Sequence, residues 1–354
     1  DGIRDVERSR GLGDVYKRQD LIEEIGRIYG YDRIKAQHPI AALGPVEENK
    51  LAAGRQQIRS LLSGLGFTET YNYSFIGENE TECLPIKIHS QLIELENPIR
   101  SEFKFLRPVL LPRLLENVAK NLHHFENLKM FEIGNTFLLK DKFSDTPDLQ
   151  EEKLALVIGY KKTNGAFLEL KGLLSALFES MNITDAWFDE FPQSSAELQD
   201  VTRSFMHPFR SGQIKLGNEL VGVFGEAHPL IKDKFKVKGN VALAELWLRR
   251  LVDIAQAERE FQPIPSYPSV MRDLALLVPL RTKIVEVLDI IENTGGELLV
   301  DVDLFDIYEG RELPEGKKNL AFHLVFQSNK KTLTDSEVSE LMEKIMKALE
   351  ENAE

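Results

Sequence analysis

The residues whose types and spacing best suit catalysis are two histidine–proline pairs in the middle of the chain. His207 opens the run His-Pro-Phe-Arg-Ser-Gly212, and His228 lies near the end of the run Gly222-Val-Phe-Gly-Glu-Ala-His-Pro229. A histidine close to an arginine and a glutamate is suited to acid–base catalysis. The sequence contains no nucleophile elbow, no HExxH and no phosphate-binding glycine loop, so this catalytic signal is weak. A structural role for both pairs stays open.

The elements that position such residues are clearest in the C-terminal part of the chain. Apolar runs with alternation predict strands, and apolar residues at helical spacing predict helices. Thr334 and Glu337 have the spacing of a capping box at the start of the last helix. The predicted elements are strands over 274–278, 298–308 and 320–326 and helices over 284–291 and 335–349. Their order is βαββα, one strand short of a ferredoxin-like domain, and we expect a C-terminal truncation because the chain ends where that strand should begin.

The middle of the chain has weaker patterns. Helical spacing predicts a helix over 52–65 that Gly66 closes, followed by an alternating strand over 67–75. A proline-rich entry precedes a second helix that reaches Asn121, and the segment 128–137 is typical of a strand, a turn and a strand. These elements predict a mixed α and β module larger than the C-terminal one.

Composition sets outer limits on function. The 354 residues are 42% hydrophobic, which is enough for two or three domains with cores of their own. We find neither an apolar stretch of the roughly 20 residues that cross a bilayer nor a secretory signal, so we expect a cytoplasmic protein without a membrane partner. The single cysteine, Cys83, excludes an internal disulfide framework. The net charge of −13 argues against non-specific binding to nucleic acid, DNA included.

Several runs together resemble the beta-subunit family of bacterial phenylalanyl-tRNA synthetases. Tyr267-Pro-Ser-Val-Met-Arg-Asp-Leu-Ala-Leu-Leu-Val-Pro279, with later runs at 304–310 and 331–335, is similar to the family's ferredoxin-fold anticodon-binding domain. Asn97-Pro, Leu106-Arg-Pro, Leu110-Leu-Pro-Arg-Leu-Leu and Phe131-Glu-Ile-Gly occur in the order of the family's catalytic-like module.

The resemblance implies an α+β fold, in which a class II synthetase-like antiparallel sheet module with helices precedes a ferredoxin-like domain. The expected boundaries are 1–19 for a non-native segment, 20–43 for the end of a winged-helix-like domain, 44–262 for the catalytic-like module and 263–354 for the anticodon-binding domain.

The resemblance also implies that the catalytic-like module is inactive. Class II enzymes place an arginine two residues before a glutamate of their second motif, where its guanidinium binds the α-phosphate of ATP. Counting back from Glu132 gives Met130, whose thioether cannot bind a phosphate. The nearest candidate for the third motif, 241–250, lacks the expected glycines and an arginine at the expected point. We therefore expect no catalytic residue in this chain.

A magnesium site near the N-terminus is a further implication of the resemblance. The family's ligand positions correspond to Asp14, Asp20, Glu23 and Glu24, and carboxylate oxygens suit Mg²⁺. Acids in the first turn of a helix also stabilise its dipole without any metal, so both readings stay open. Asp14 lies in Gly11-Leu-Gly-Asp-Val-Tyr-Lys-Arg-Gln19, which looks like a translated sequencing adapter, and we expect residues 1–19 to be non-native.

Cations near the strand ends of the last domain are the candidates for contact with RNA phosphates. The alternative reading is that they are solvated loop charges. Phe305, Tyr308, Phe322 and Phe326 are candidates for base stacking, although alternation places some of them in the core. The predicted tRNA-binding cations are Arg272, Arg311, Lys317, Lys318, Lys330 and Lys331.

The resemblance implies a non-catalytic subunit fragment of an aminoacyl-tRNA ligase. It would assemble with the alpha subunit in an (αβ)₂ heterotetramer, contact tRNA(Phe) and support ATP-dependent attachment of phenylalanine, with ATP bound on the alpha subunit. The family's N-terminal tRNA-binding module and its editing domain have no counterpart in this sequence. Two alternatives stay open: a stand-alone class II-like adenylate-forming enzyme, and a free-standing ferredoxin-fold RNA-binding module.

Overall fold

A computed structural model gives the chain as two compact units, 1–257 and 258–354. The described residues are 18–38, 44, 48–139, 150–162, 165–183, 186–191, 201–217, 219–255, 263–310 and 312–352. Within these residues, every helix is too short or too polar to cross a membrane.

The first unit is built on a mixed set of helices and strands. Its helices are α1 (Arg18–Tyr29), α2 (Lys50–Gly64), α3 (Glu78–Thr81), α4 (Ile86–His89), α5 (Leu111–Asn121), α6 (Ala166–Ser180), α7 (Pro229–Lys234) and α8 (Leu248–Ile254). Its strands are β1 (Thr68–Glu69), β2 (Phe75–Ile76), β3 (Phe105–Leu106), β4 (Asn127–Phe137), β5 (Gln150–Tyr160), β6 (Ala186–Asp189), β7 (Met206–Leu216), β8 (Glu219–Ala227) and β9 (Asn240–Trp247).

A seven-stranded sheet in the order β1-β4-β5-β9-β8-β7-β6 organises the described part of this unit. Only the β1–β4 pair is parallel, and the other neighbours are antiparallel. The strands β4, β5 and β9 are buried on both faces, since α2, α6 and α8 pack on one face and α5 packs on the other. Two hydrophobic cores therefore sandwich the sheet. Side chains of opposite parity along each strand enter opposite cores.

The second unit has a sheet with helices packed on one face. Its elements are β10 (Val270–Pro279), α9 (Ile284–Gly295), β11 (Leu299–Tyr308), β12 (Lys317–Phe326) and α10 (Asp335–Asn352). The strand order is β10-β12-β11, and both outer strands are antiparallel to β12. The core contains Leu274, Ile291 and Phe322, and α9 and α10 close it. The predicted βαββα order is confirmed.

Two predicted elements of the first unit are wrong. The strand predicted over 67–75 pairs only at Thr68–Glu69 and at Phe75–Ile76, in two different sheets. The predicted strand, turn and strand over 128–137 is one continuous strand, β4, which pairs with β5 along its whole length. Gly134 lies inside that strand, where a Cβ would stand 2.3 Å from Nη2 of Arg107. Glycine is needed there for a neighbouring side chain and not for a turn.

Candidate functional site: a filled sheet face and an open sheet face

A buried ion pair occupies the sheet face that carries Met130. Nη1 of Arg107 donates to Oε1 of Glu132 at 2.6 Å, and each side chain is 3% exposed. Nε of Arg107 donates to the backbone oxygen of Asn135 at 3.0 Å, and the amide of Asn72 donates to Oε2 of Glu132 at 2.6 Å. Met130 is itself buried in the core on this face. The guanidinium of Arg107, on the sheet face that carries Met130, is therefore already bound to a carboxylate.

A second ion pair lies on the same face of the sheet, between Lys153 of β5 and Glu245 of β9. Nζ of Lys153 lies 2.9 Å from Oε1 of Glu245, and both side chains are buried. The other oxygen of Glu245 accepts from the backbone nitrogen of Leu110 at 3.1 Å, at the N-terminus of α5. Glu132 and Glu245 both lie opposite Ala155 of the strand between them. Charged side chains and α5 therefore cover this face of the sheet at β4, β5 and β9.

The two histidine–proline pairs have structural surroundings. Nδ1 of His228 accepts from the backbone nitrogen of Leu230 at 3.2 Å and so caps α7. Nδ1 of His207 accepts from the backbone nitrogens of Phe209 and Arg210, in the irregular part of β7. In both histidines Nδ1 accepts hydrogen bonds from backbone nitrogens two or three residues further along the chain. These contacts favour the structural reading over acid–base catalysis.

The predicted magnesium ligands are not gathered into a site by the described residues. Asp14 lies outside the described residues. Glu24 lies 2.6 Å from the guanidinium of Arg27 in the next turn of α1. In the part of the chain that the structure describes, no group of three or more histidine, cysteine, aspartate or glutamate residues is arranged to hold a metal ion, which leaves Asp20 and Glu23 without a ligand cluster. Because the fourth predicted ligand, Asp14, lies outside the described residues, the magnesium site stays a prediction.

The predicted phosphate-binding cations of the second unit fall into two groups: those that form an ion pair with a carboxylate and those that form none among the described residues. Arg272 lies 2.5 Å from Asp335, and Lys331 is paired with Glu337, both at the start of α10. The Lys331 ammonium and hydrogen bonds from Thr334 lower the pKa of Glu337 to about 2. Lys317, Lys318 and Lys330 make no ion pair within the described residues, and Arg311 lies outside them. The tRNA-binding role of all six stays a prediction, but two of them already have carboxylate partners.

The three-stranded sheet has one open face, and sequence reasoning did not identify its composition. Odd-numbered residues of β12 point away from the helices, because Phe322, Leu324 and Phe326 fill the core. Register then places rows of side chains across the open face. The rows are Met271–Val325–Asp301, Asp273–His323–Asp303, Ala275–Ala321–Asp306 and Leu277–Asn319–Tyr308. Four aspartates lie on this face, so it is unfavourable for phosphates.

The centre of the open face is an aromatic pair held by a carboxylate. The ring of Phe305 stacks on His323 with centroids 3.9 Å apart and planes 13° apart. Nδ1 of His323 lies 2.6 Å from Oδ1 of Asp273 on the neighbouring strand. Phe305 is 48% exposed, whereas Phe322 and Phe326 are fully buried. Of the four aromatic candidates, Phe305 and Tyr308 are thus accessible for base stacking.

A large, mostly antiparallel sheet flanked by helices and a separate unit of βαββα order define an α+β chain. The family described as "Phenylalanyl tRNA synthetase beta chain CLM domain" matches residues 34–248, and "Ferredoxin-fold anticodon binding domain" matches residues 265–354. The chain therefore belongs to the phenylalanyl-tRNA synthetase beta chain family.

Curated relatives agree with this assignment. The phenylalanine–tRNA ligase beta subunit of Clostridium tetani is 31% identical over 348 residues, and that of Bacillus subtilis is 33% identical over 350 residues. Each alignment covers 96% of this chain and 42% of the relative, so the chain spans less than half the length of these relatives. A solved pyrrolysyl-tRNA synthetase from Desulfitobacterium hafniense aligns with 58% of this chain and 68% of its own at 16% identity and a TM-score of 0.45, too weak a similarity to support a conclusion.

Proposed function

We propose that this chain acts as a non-catalytic part of a phenylalanine–tRNA ligase beta subunit in the cytoplasm. In this role it supports the charging of tRNA(Phe) by an alpha subunit, which binds ATP and forms the adenylate. The observation that carries the proposal is that Met130, at the position where an adenylate-forming site of this class has an arginine, is buried in the core on the sheet face of the Arg107–Glu132 pair.

The open sheet face supports a contact with unpaired RNA. Single-stranded RNA is recognised by base stacking on aromatic rings and by hydrogen bonds to base edges. Phe305 and Tyr308 offer the rings, and Asp273, Asp303 and Asp306 offer acceptors for base N–H groups. Phosphates would be contacted by the lysines that have no carboxylate partner among the described residues, at 317, 318 and 330.

The test is coexpression of the chain with the alpha subunit of a bacterial phenylalanine–tRNA ligase, followed by co-purification and a charging assay with tRNA(Phe). The complete beta subunit of Bacillus subtilis serves as the positive control. We expect a stable complex, and we expect no ATP–pyrophosphate exchange by the isolated chain. Exchange by the isolated chain would contradict the proposal and favour a stand-alone adenylate-forming enzyme.

A further inference from the structure

A cleft of about 770 Å³ lies at one end of the neighbouring strands β4, β5 and β9 of the large sheet. Its walls include Asn135 of β4, Trp247 of β9 and three arginines, Arg55, Arg249 and Arg250. The chain as a whole carries a net charge of −13, so three guanidinium groups around one cleft are a local exception.

Close packing of two helices brings the arginines together. Gly54 of α2 lies against Val252 of α8, and a Cβ at position 54 would stand 2.6 Å from Cγ2 of Val252. Because glycine permits this approach, Arg55 of α2 lines the same cleft as Arg249 and Arg250 of α8.

The carboxylates of the cleft are used within the protein. Glu152 accepts from Nη2 of Arg55 at 2.8 Å, and Glu151 accepts from the indole N–H of Trp247 at 3.0 Å. Nε of Arg55 is buried and has no hydrogen-bond partner in the part of the chain that the structure describes. A buried donor without an acceptor is unfavourable unless a ligand or water satisfies it.

The two arginines of α8, Arg249 and Arg250, differ in their hydrogen bonds and ion pairs. Arg250 donates to the backbone oxygen of Leu220 at 2.7 Å, and its guanidinium lies 4.6 Å from the centre of the Trp247 ring. Its nearest carboxylate, Glu219, is 3.7 Å away and half exposed. Arg249 is exposed and makes neither a hydrogen bond nor an ion pair with any residue that the structure describes. Arg249 is therefore a lining cation of the cleft without a carboxylate partner among the described residues.

We propose that this cleft binds a phosphate or pyrophosphate group. Planar guanidinium groups match the oxygens of a phosphate and donate to two of them at once. Arg249 supplies a cation that is unpaired among the described residues, Arg250 adds a second guanidinium fixed by Trp247, and Nε of Arg55 supplies a buried donor. The group belongs either to a small phosphate compound or to an RNA backbone.

Trp247 gives a direct readout of binding. The chain contains two tryptophans, so Trp187→Phe leaves the indole of the cleft as the only one. In that background, inorganic phosphate and pyrophosphate are titrated while Trp247 fluorescence is followed. We expect a saturable change with pyrophosphate, an affinity at least tenfold lower in Arg249→Glu, and a several-fold loss in Arg55→Lys, which keeps a cation for Glu152 but removes the Nε donor.

Arg100→Glu is the matched control. It makes the same change of charge at an exposed arginine of the same unit, away from the cleft, and we expect the affinity to be unchanged. Circular dichroism and thermal melting confirm that each variant is folded. No saturable change, or an equal affinity in Arg249→Glu, would overturn the proposal.

A competing single-stranded oligoribonucleotide distinguishes the two sources of the phosphate. Competition that requires Arg249 supports the cleft and assigns the group to an RNA backbone. Pyrophosphate binding that the RNA does not affect supports the cleft and assigns the group to a small phosphate compound.

Discussion

Arg107 and Glu132 form an ion pair of 2.6 Å in which both side chains are almost completely buried. Arg107 follows the short strand β3, whereas Glu132 lies in the middle of β4, so the pair ties an irregular segment to the large sheet. Asn72 and the backbone oxygen of Asn135 complete the hydrogen bonds of the two charged groups. A buried charge is tolerated at such a position only when its partner is present.

Removal of one member of this pair should therefore destabilise the first unit strongly. For Arg107→Met we expect the free energy of unfolding to fall by about 3–5 kcal/mol, because Glu132 is left as a buried charge without its partner. In the double variant with Glu132→Leu we expect at least half of the loss to be recovered, because neither charge of this pair remains. Urea denaturation measures both.

The control is the ion pair of Arg210 and Glu226, which has nearly the same length, 2.7 Å, but an arginine that is 55% exposed. Arg210→Met should cost less than about 1 kcal/mol, since exposed pairs contribute little. Equal losses for the two arginine variants would show that burial of the Arg107 pair has no energetic consequence.

The local spacing of apolar residues was enough to predict the elements of the second unit. It predicted the elements of the first unit less well. In the second unit each element has its own periodicity, and the boundaries differ from the prediction by only a few residues. In the first unit, the segment 128–137 was wrongly predicted to contain a turn, because the side chain that needs the space at Gly134, Arg107, lies outside that segment. The exposed residues Tyr71 and Tyr73 gave an alternating pattern without being in a paired strand.

The sites depend still more on contacts between distant residues. The spacing from Glu132 to Met130 was visible in the sequence, but the occupation of that sheet face by Arg107 was not. Likewise, the Asp273–His323 contact requires the register of two strands, and the cleft requires the packing of α2 on α8 at Gly54. Periodicity predicts which face of an element is buried, and it does not predict which partner it meets.

The Lys331–Glu337 pair should make the start of α10 sensitive to acid. The pKa of Glu337 is lowered from 4.5 to about 2, first by the hydrogen bond from Lys331 and then by those from Thr334. A folded-state pKa below the unfolded value stabilises the folded state fully above about pH 4.5, and the contribution is lost as the pH falls towards 2.

An NMR titration of the Glu337 carboxyl carbon should show a midpoint near 2 in the unaltered protein. We expect Lys331→Met to move the midpoint up towards 4.5, because the largest cause of the shift is removed. Lys330→Met, at a neighbouring lysine that makes no ion pair in the described residues, is the control and should leave it unchanged. An unchanged midpoint in Lys331→Met would refute the assigned cause.

Cys83 should be protected from thiol reagents in the folded state. It is 8% exposed, and burial raises the pKa of its thiol above the usual 9.0. Because the thiolate is the reactive form, we expect modification at pH 8 to be about a hundredfold slower than in urea-unfolded protein. A Cys83→Ser, Ser63→Cys variant places the only thiol at an exposed position of α2 and should react at nearly the unfolded rate. Equally fast modification of native Cys83 would contradict its burial.

Phe305 should contribute to RNA binding by the second unit through stacking on a base. Base–aromatic stacking is worth about 1–3 kcal/mol, so Phe305→Ala should weaken the binding of tRNA(Phe) about 5- to 150-fold, whereas Phe305→Tyr should retain most of the affinity. Filter binding at constant ionic strength measures both. Phe209→Ala removes an equally large ring that is 90% exposed on β7 of the first unit, and it should not change the affinity. If Phe305→Ala bound tRNA as tightly as the unaltered chain, the stacked pair of Phe305 and His323 would have a purely structural role on the sheet.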